Sequence, residues 1–177
     1  SILTTEPSYS ASLSSNGQFA LVATQNSGVQ CWDLSTHTLK YQWIHGDINT
    51  GVTGTAISPN GLFAASLSRD SVAMWRIADG KSLGWWSLPS SGESVAVADN
   101  GALLIGLNDG SVMSLNAAQS ALIKFLGHKD RVNSVALSAD GRLALTGSND
   151  MQAILWQAQT GQPLHTWTLG SRITKVA

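Results

Sequence analysis

His128 and Asp150 are the pair in this chain whose types suit acid–base chemistry: an imidazole that titrates near neutrality and a carboxylate to orient it. Both fall in the segment LGHKDRVNSVALSADGRLALTGSNDMQAILWQAQTGQPLHTW, Leu126 to Trp167, which also holds Thr146 and Trp156. Two readings of the pair are open. In one, His128 and Asp150 act as acid and base in catalysis. In the other they belong to a buried polar network that holds the fold together and stabilises it only if every member is satisfied. Other chemistry has little support. The single cysteine, Cys31 in GVQCWDL, permits no intrachain disulfide and no thiolate metal cage, and it reads as a small core residue. The sequence contains no glycine-rich phosphate loop, no Gly-x-Ser-x-Gly elbow and no His/Asp/Glu cluster at ligand spacing. We therefore expect no metal, no cofactor and no enzymatic activity.

The elements that must position these residues recur. Turn dipeptides stand at Asn16-Gly17, Asn60-Gly61, Asn100-Gly101 and Asp140-Gly141, so the glycines are spaced 44, 40 and 40 residues apart. After each comes a large apolar residue, Trp32, Trp75, Leu115 or Trp156, and then a second, Trp43, Trp86, Phe125 or Trp167. Each unit reads as four short strands. In the last copy these are VNSVALS, RLALTG, AILWQA and PLHTWTL, separated by Asp-Gly, Asn-Asp and Thr-Gly turns. No segment shows helical periodicity.

Second and third strands such as FALVA, VAMW and AILW are apolar on both faces, so each sheet must lie between two others. The fourth strands mix in polar residues, as an outer edge should. The fold class expected is therefore all-β: a β-propeller of four four-stranded antiparallel blades, a repeat of about 40–45 residues being usual for such blades. A β-sandwich would not repeat this evenly. The recurring large residues should fill the space between blades. Trp85, next to Trp86 on the same strand, points the other way and either packs on the next blade or stands exposed. His37 and His165 should lie at the surface.

Composition bounds the partners. The 177 residues are 43% hydrophobic and only 12% charged, with net charge −1. There is no basic stripe, which argues against nucleic acid, and no apolar run approaches the roughly 18 residues a membrane span needs.

At Gly-His…Asp…Trp the chain resembles the WD40 repeat family, across essentially its whole length and best in the fourth copy. The resemblance implies a hydrogen-bonded tetrad of His128, Thr146, Asp150 and Trp156, and a partial one of His45, Ser66, Asp70 and Trp75. Copy two has a shorter turn before Asp70 and a longer loop around His45. Copy three keeps Asp109 but lacks the His and Trp, and copy one has Asn26 where the Asp belongs. SRDSVAMW is a near miss to the neuraminidase-type Asp-box, with Val72 and Met74 at its Gly and Thr positions.

The resemblance also implies a non-enzymatic scaffold that binds a protein or peptide through its loops, with Asp47, Asn49, Lys129, Asp130 and Arg131 as candidate contacts. A central-channel enzyme or small-molecule binder is one alternative. A structural role in a bacterial envelope assembly is another, since the fourth copy's style is similar to WD40-repeat lipoproteins of Gram-negative bacteria. That would place the parent protein in the periplasm on a lipid anchor, with the cytoplasm as the other possibility. The blades are expected at about residues 9–45, 46–90, 91–127 and 128–170 of a single partial propeller spanning 1–177. Residues 171–177 would start a fifth blade, and SILTTEP would give a strand to another. Four blades fall short of a usual ring, so the chain reads as a fragment that closes by homodimerising, four blades plus four.

Overall fold

The computed structural model describes residues 7–25, 28–45, 51–116 and 121–177. These form sixteen strands in four antiparallel sheets, each meandering outward in chain order. Blade one holds β1 (Ser8–Leu13), β2 (Phe19–Thr24), β3 (Gly28–Asp33) and β4 (Thr38–Trp43). Blade two holds β5 (Gly54–Ile57), β6 (Phe63–Leu67), β7 (Ser71–Arg76) and β8 (Ser82–Ser87). Blade three runs through β9 (Gly92–Val97), β10 (Ala102–Leu107), β11 (Val112–Asn116) and β12 (Ala121–Phe125). Blade four runs through β13 (Val132–Leu137), β14 (Leu143–Ser148), β15 (Gln152–Gln157) and β16 (Gln162–Thr168). The inner strands β1, β5, β9 and β13 stand side by side. This is an incomplete β-propeller of four blades. Among the described residues no helix is long and apolar enough to cross a membrane.

The doubly apolar strands end up where their pattern requires. Every residue of β10 is buried, and so is all of β7 except Arg76. The cores lie between blades rather than within them. Between blades one and two, Leu21, Val29, Cys31 and Trp43 meet Ile57, Trp75 and Ile77. Between two and three, Leu67, Met74 and Trp86 meet Leu103, Ile105 and Leu115. Between three and four, Leu104, Val112 and Phe125 meet Ala144, Ile154 and Trp156.

Each interface therefore pairs an outer-strand residue of one blade with a third-strand residue of the next. Trp43 stacks on Trp75 with ring centroids 5.0 Å apart, and its indole N–H donates to the Gly80 carbonyl at 3.0 Å. Phe125 packs on Trp156 at 5.4 Å. Such a pair adds about 0.5–1.5 kcal/mol beyond the area it buries. In three blades the pairing of third and fourth strands slips by one residue immediately before the third-strand Trp, a bulge at Trp32, Trp75 and Trp156.

One expectation is corrected. Trp167 does not fill an interface: it is 42% exposed, against 8% for Trp43 and 1% for Phe125, because it lies on the outward face of blade four. Of the two placements open to Trp85, it takes the exposed one, at 57%. Residues 171–177 form no ladder-paired strand. They still lie against blade four, with Ile173 buried, its carbonyl accepting from Asn133 Nδ2 at 2.8 Å, and Val176 N–H donating to Ser134 Oγ at 3.1 Å. The last contact copies the one that seats β5 on blade one, where Thr55 N–H donates to Ser10 Oγ at 3.0 Å. His37 and His165 are exposed. SILTTE lies outside the described residues, as do Asn26, Asp47 and Asn49.

Candidate functional site

Gly127-His128 leads into β13, Thr146 lies on β14, Asp150 in the β14–β15 turn and Trp156 on β15. Antiparallel pairing sets Thr146 opposite Ile154 and Trp156 opposite Ala144, on one face of the hairpin with Asp150 in the turn at its end, and the loop before β13 brings His128 onto them. His128 Nε2 lies 2.7 Å from Thr146 Oγ1, and Nδ1 lies 3.0 and 3.2 Å from the two oxygens of Asp150. The Trp156 indole N–H donates to Thr146 Oγ1 at 2.8 Å. Asp150 also accepts the backbone N–H of Lys129 and of Gln152, each at 2.9 Å.

A carboxylate can only accept, so Nδ1 carries a proton. Thr146 Oγ1 accepts from the Trp156 indole, and its hydroxyl lies within reach of both His128 Nε2 and the Ile154 carbonyl, at 2.7 and 3.4 Å. Every polar atom of the constellation is used, and the imidazole side chain is 0% exposed. Burial of Asp150 pushes its pKa up, but the two backbone N–H donors and His128 outweigh that and hold it below the ordinary carboxylate value.

The second blade is wired differently. His45 Nδ1 meets Ser66 Oγ, and Nε2 lies 3.0 Å from Ser71 Oγ. Ser71 and Ser68 both donate to Asp70 Oδ1, at 3.0 and 2.8 Å. His45 thus reaches Asp70 through Ser71, which takes the place a direct ion pair would have. The Trp75 ring stands edge-on to His45 at 6.4 Å. Burial drives the His45 pKa down to about 4, against a raising effect of Asp70, so this ring is neutral at pH 7. Ser71 was not among the residues the sequence pointed to. The one available signal was the shortened turn, which moves Asp70 out of reach and brings the next residue in. In blade three Asp109 closes only its own turn, accepting Ser111 N–H at 2.9 Å and Ser111 Oγ–H at 2.6 Å.

The same end of the propeller carries an open cleft of about 740 Å³ where blades two, three and four converge. Its walls include Arg69, Ser90, Ser91, Glu93, Asn108 and Arg131. Arg131 NH2 pairs with Glu93 at 2.5 Å, the arginine half-exposed and the carboxylate largely covered. The Arg69 carbonyl accepts from Gly92 N–H at 2.8 Å, while its exposed guanidinium has no partner among the described residues. Of the other loop residues, Lys129 and Asp130 are exposed beside the cleft, and the Asp130 and Arg131 backbone carbonyls accept from Ser148 Oγ and Asn149 N–H. No group of three or more His, Cys, Asp or Glu among the described residues is arranged to hold a metal.

Four meandering blades with a His–Thr–Asp–Trp network in one of them define a WD40-type propeller. Residues 119–157 match the model of the WD domain, G-beta repeat, a span that contains all four network residues, and in this stretch the chain carries a WD40 repeat. It is similar to WD repeat-containing protein 18 of Homo sapiens, 34% identical over 64 residues, and of Mus musculus, 38% over 53. It is also similar to the ribosome biogenesis protein BOP1 homolog of Dictyostelium discoideum, 34% identical over 55 residues. These alignments take in 36%, 30% and 31% of this chain but only 15%, 12% and 7% of the three relatives.

Proposed function

We propose that this chain is a non-enzymatic scaffold segment that binds a protein or peptide in the cleft between blades two, three and four. WD40 repeats commonly act as protein-interaction scaffolds, and the observation that supports this location is the cleft itself. Its volume lies in the range of about 300–1,000 Å³ common to binding pockets, and its rim carries the exposed guanidinium of Arg69. Arg131 shares the rim, tethered to Glu93 and free to exchange that partner. His128 and Asp150 are read as a brace behind this surface, since their hydrogen-bonding capacity is spent inside the blade. The test is affinity capture with the full-length protein carrying R69E, R131E or K81E, Lys81 standing in a turn at the opposite end of the blades. A partner lost with both arginine reversals and kept with K81E supports the reading; a partner set unaffected by R69E and R131E overturns it.

The outward face of blade four favours self-association as a second reading. Trp167, Leu143 and Leu164 are 42%, 43% and 52% exposed there. Trp32 of blade one occupies the repeat position that Trp75 and Trp156 use to receive an outer-strand aromatic. Blade four of one copy against blade one of another would complete that pairing, provided β1 displaces residues 173–176 from their seat. A dimer by light scattering that W167S disrupts supports this; a monomer at micromolar concentration without exposed-surface dye binding overturns it.

A further inference from the structure

The turns between first and second strands repeat one sequence, broken in one copy. They read Ser14-Ser-Asn16-Gly17, Ser58-Pro-Asn60-Gly61, Ala98-Asp-Asn100-Gly101 and Ser138-Ala-Asp140-Gly141. In three of them the serine hydroxyl donates to the side-chain oxygen of the Asn or Asp, at 2.7, 2.8 and 2.7 Å. The same oxygen accepts the backbone N–H two residues on, from Gln18, Leu62 and Arg142, each at 3.0 Å. Ala98 has no hydroxyl, so Asn100 Oδ1 is left with the Ala102 N–H alone, at 2.9 Å.

The three asparagines also link the blades. Each side-chain amide donates to a backbone carbonyl in the next blade: Asn16 to Asn60 at 2.8 Å, Asn60 to Asp99 at 3.4 Å, and Asn100 to Asp140 at 3.0 Å. An asparagine followed by glycine has a known weakness. The unhindered glycine nitrogen can attack the asparagine side-chain carbon; a C–N bond forms, ammonia leaves, and water opens the cyclic imide to aspartate or isoaspartate. No oxidant or reductant is required. Two restraints oppose the attack here. The glycine N–H is tied to the carbonyl three residues back, at 2.9 Å in Gly17 and Gly61 and 3.1 Å in Gly101. The side-chain carbonyl must also rotate out of its hydrogen bonds to present its carbon.

Asn16 and Asn60 have both holds on that carbonyl; Asn100 has only one, and like Asn16 it is exposed. We propose that Asn100 is a spontaneous deamidation site of this chain, and that its conversion releases the clasp between blades three and four. Asp140 shows that a carboxylate fits the turn itself. It cannot serve the clasp, because it replaces the N–H donor with an acceptor facing a carbonyl oxygen, beside Asp99 and Asp140.

The experiment is incubation of the folded full chain in mildly alkaline buffer, with peptide mapping by mass spectrometry at intervals. Asn100 should convert several-fold faster than Asn16 and Asn60. Ala98→Ser, which installs the hydroxyl the other turns already have, should slow it to their rate, and Ser14→Ala should speed Asn16. In urea the three rates should converge. Equal rates in the folded protein, or no response to either Ala98→Ser or Ser14→Ala, would overturn the proposal. So would a rate difference that survives in urea, since it would then belong to the neighbouring sequence and not to the fold.

Discussion

Replacing Asp150 with alanine tests whether the blade-four network carries stability. The substitution removes three contacts: the His128 ring N–H, and the Lys129 and Gln152 backbone donors at 2.9 Å. Their fates differ. His128 is 0% exposed in its side chain, so no water replaces the carboxylate, and a buried donor left unpaired costs about 1–3 kcal/mol. The two backbone donors lie nearer the surface, where water recovers part of each bond, leaving about 1 kcal/mol apiece. The sum is about 3–5 kcal/mol, the range for removing one member of a buried polar pair. Asp109→Ala is the control, since it removes only local bonds to Ser111 and should cost about 1 kcal/mol. Urea unfolding followed by tryptophan fluorescence reads both, with an unchanged m-value required for the comparison. If D150A costs no more than D109A, the network is not a brace and the reasoning fails.

Three further outcomes follow from the same geometry. His45 is held neutral with its pKa down near 4 against an ordinary 6.5, so the unfolded chain binds its proton first; stability present above pH 6.5 should be lost as pH falls towards 4. The loss is about 2–3 kcal/mol, and it should shrink in H45Q when melting is compared at pH 7 and pH 5; an identical slope in the variant contradicts this. Burial raises the Cys31 thiol to about 12, so a disulfide reagent should leave it unmodified in the native protein and react promptly in urea; rapid native labelling would refute the packing. Gly17 and Gly141 share a positive φ, 70° and 69°, but a Cβ at Gly141 would meet the Asn100 amide nitrogen at 2.6 Å while one at Gly17 meets nothing within 4 Å. G141A should therefore lower the melting temperature more than G17A, both carrying about 1 kcal/mol of backbone strain, and equal losses would show that the inter-blade clasp has room to spare.

The architecture was legible because the repeat is written in residue types that only one packing satisfies. Strands apolar on both faces demand sheets on both sides, and glycines in register fix the turns. The four members of the blade-four network came from the family resemblance, and its spacing carries over because β14 and β15 pair without irregularity between Leu143–Gln157 and Gly147–Ala153. Blade two resisted the same reasoning. There a turn shorter by one residue changes which side chain faces His45, and spacing alone does not tell Asp70 from Ser71. Trp167 was misplaced because its burial depends on a neighbouring blade and not on its own strand. The cleft was invisible for a related reason: its walls come from residues as distant as Arg69 and Arg131, joined only when three blades stack. The Ser-x-Asn-Gly pattern was in plain sight as a turn, but nothing in it announces that the amide crosses to the next blade.

The central claim is that His128, Thr146, Asp150 and Trp156 form one closed network inside a packed blade. Hydrogen exchange of the Trp156 indole N–H, assigned by its disappearance in W156F, tests it most directly. The account predicts exchange as slow as that of the β15 backbone amides, and a large acceleration in T146V, which removes the oxygen that indole donates to. An indole proton exchanging at the rate of free tryptophan in the native protein would contradict it.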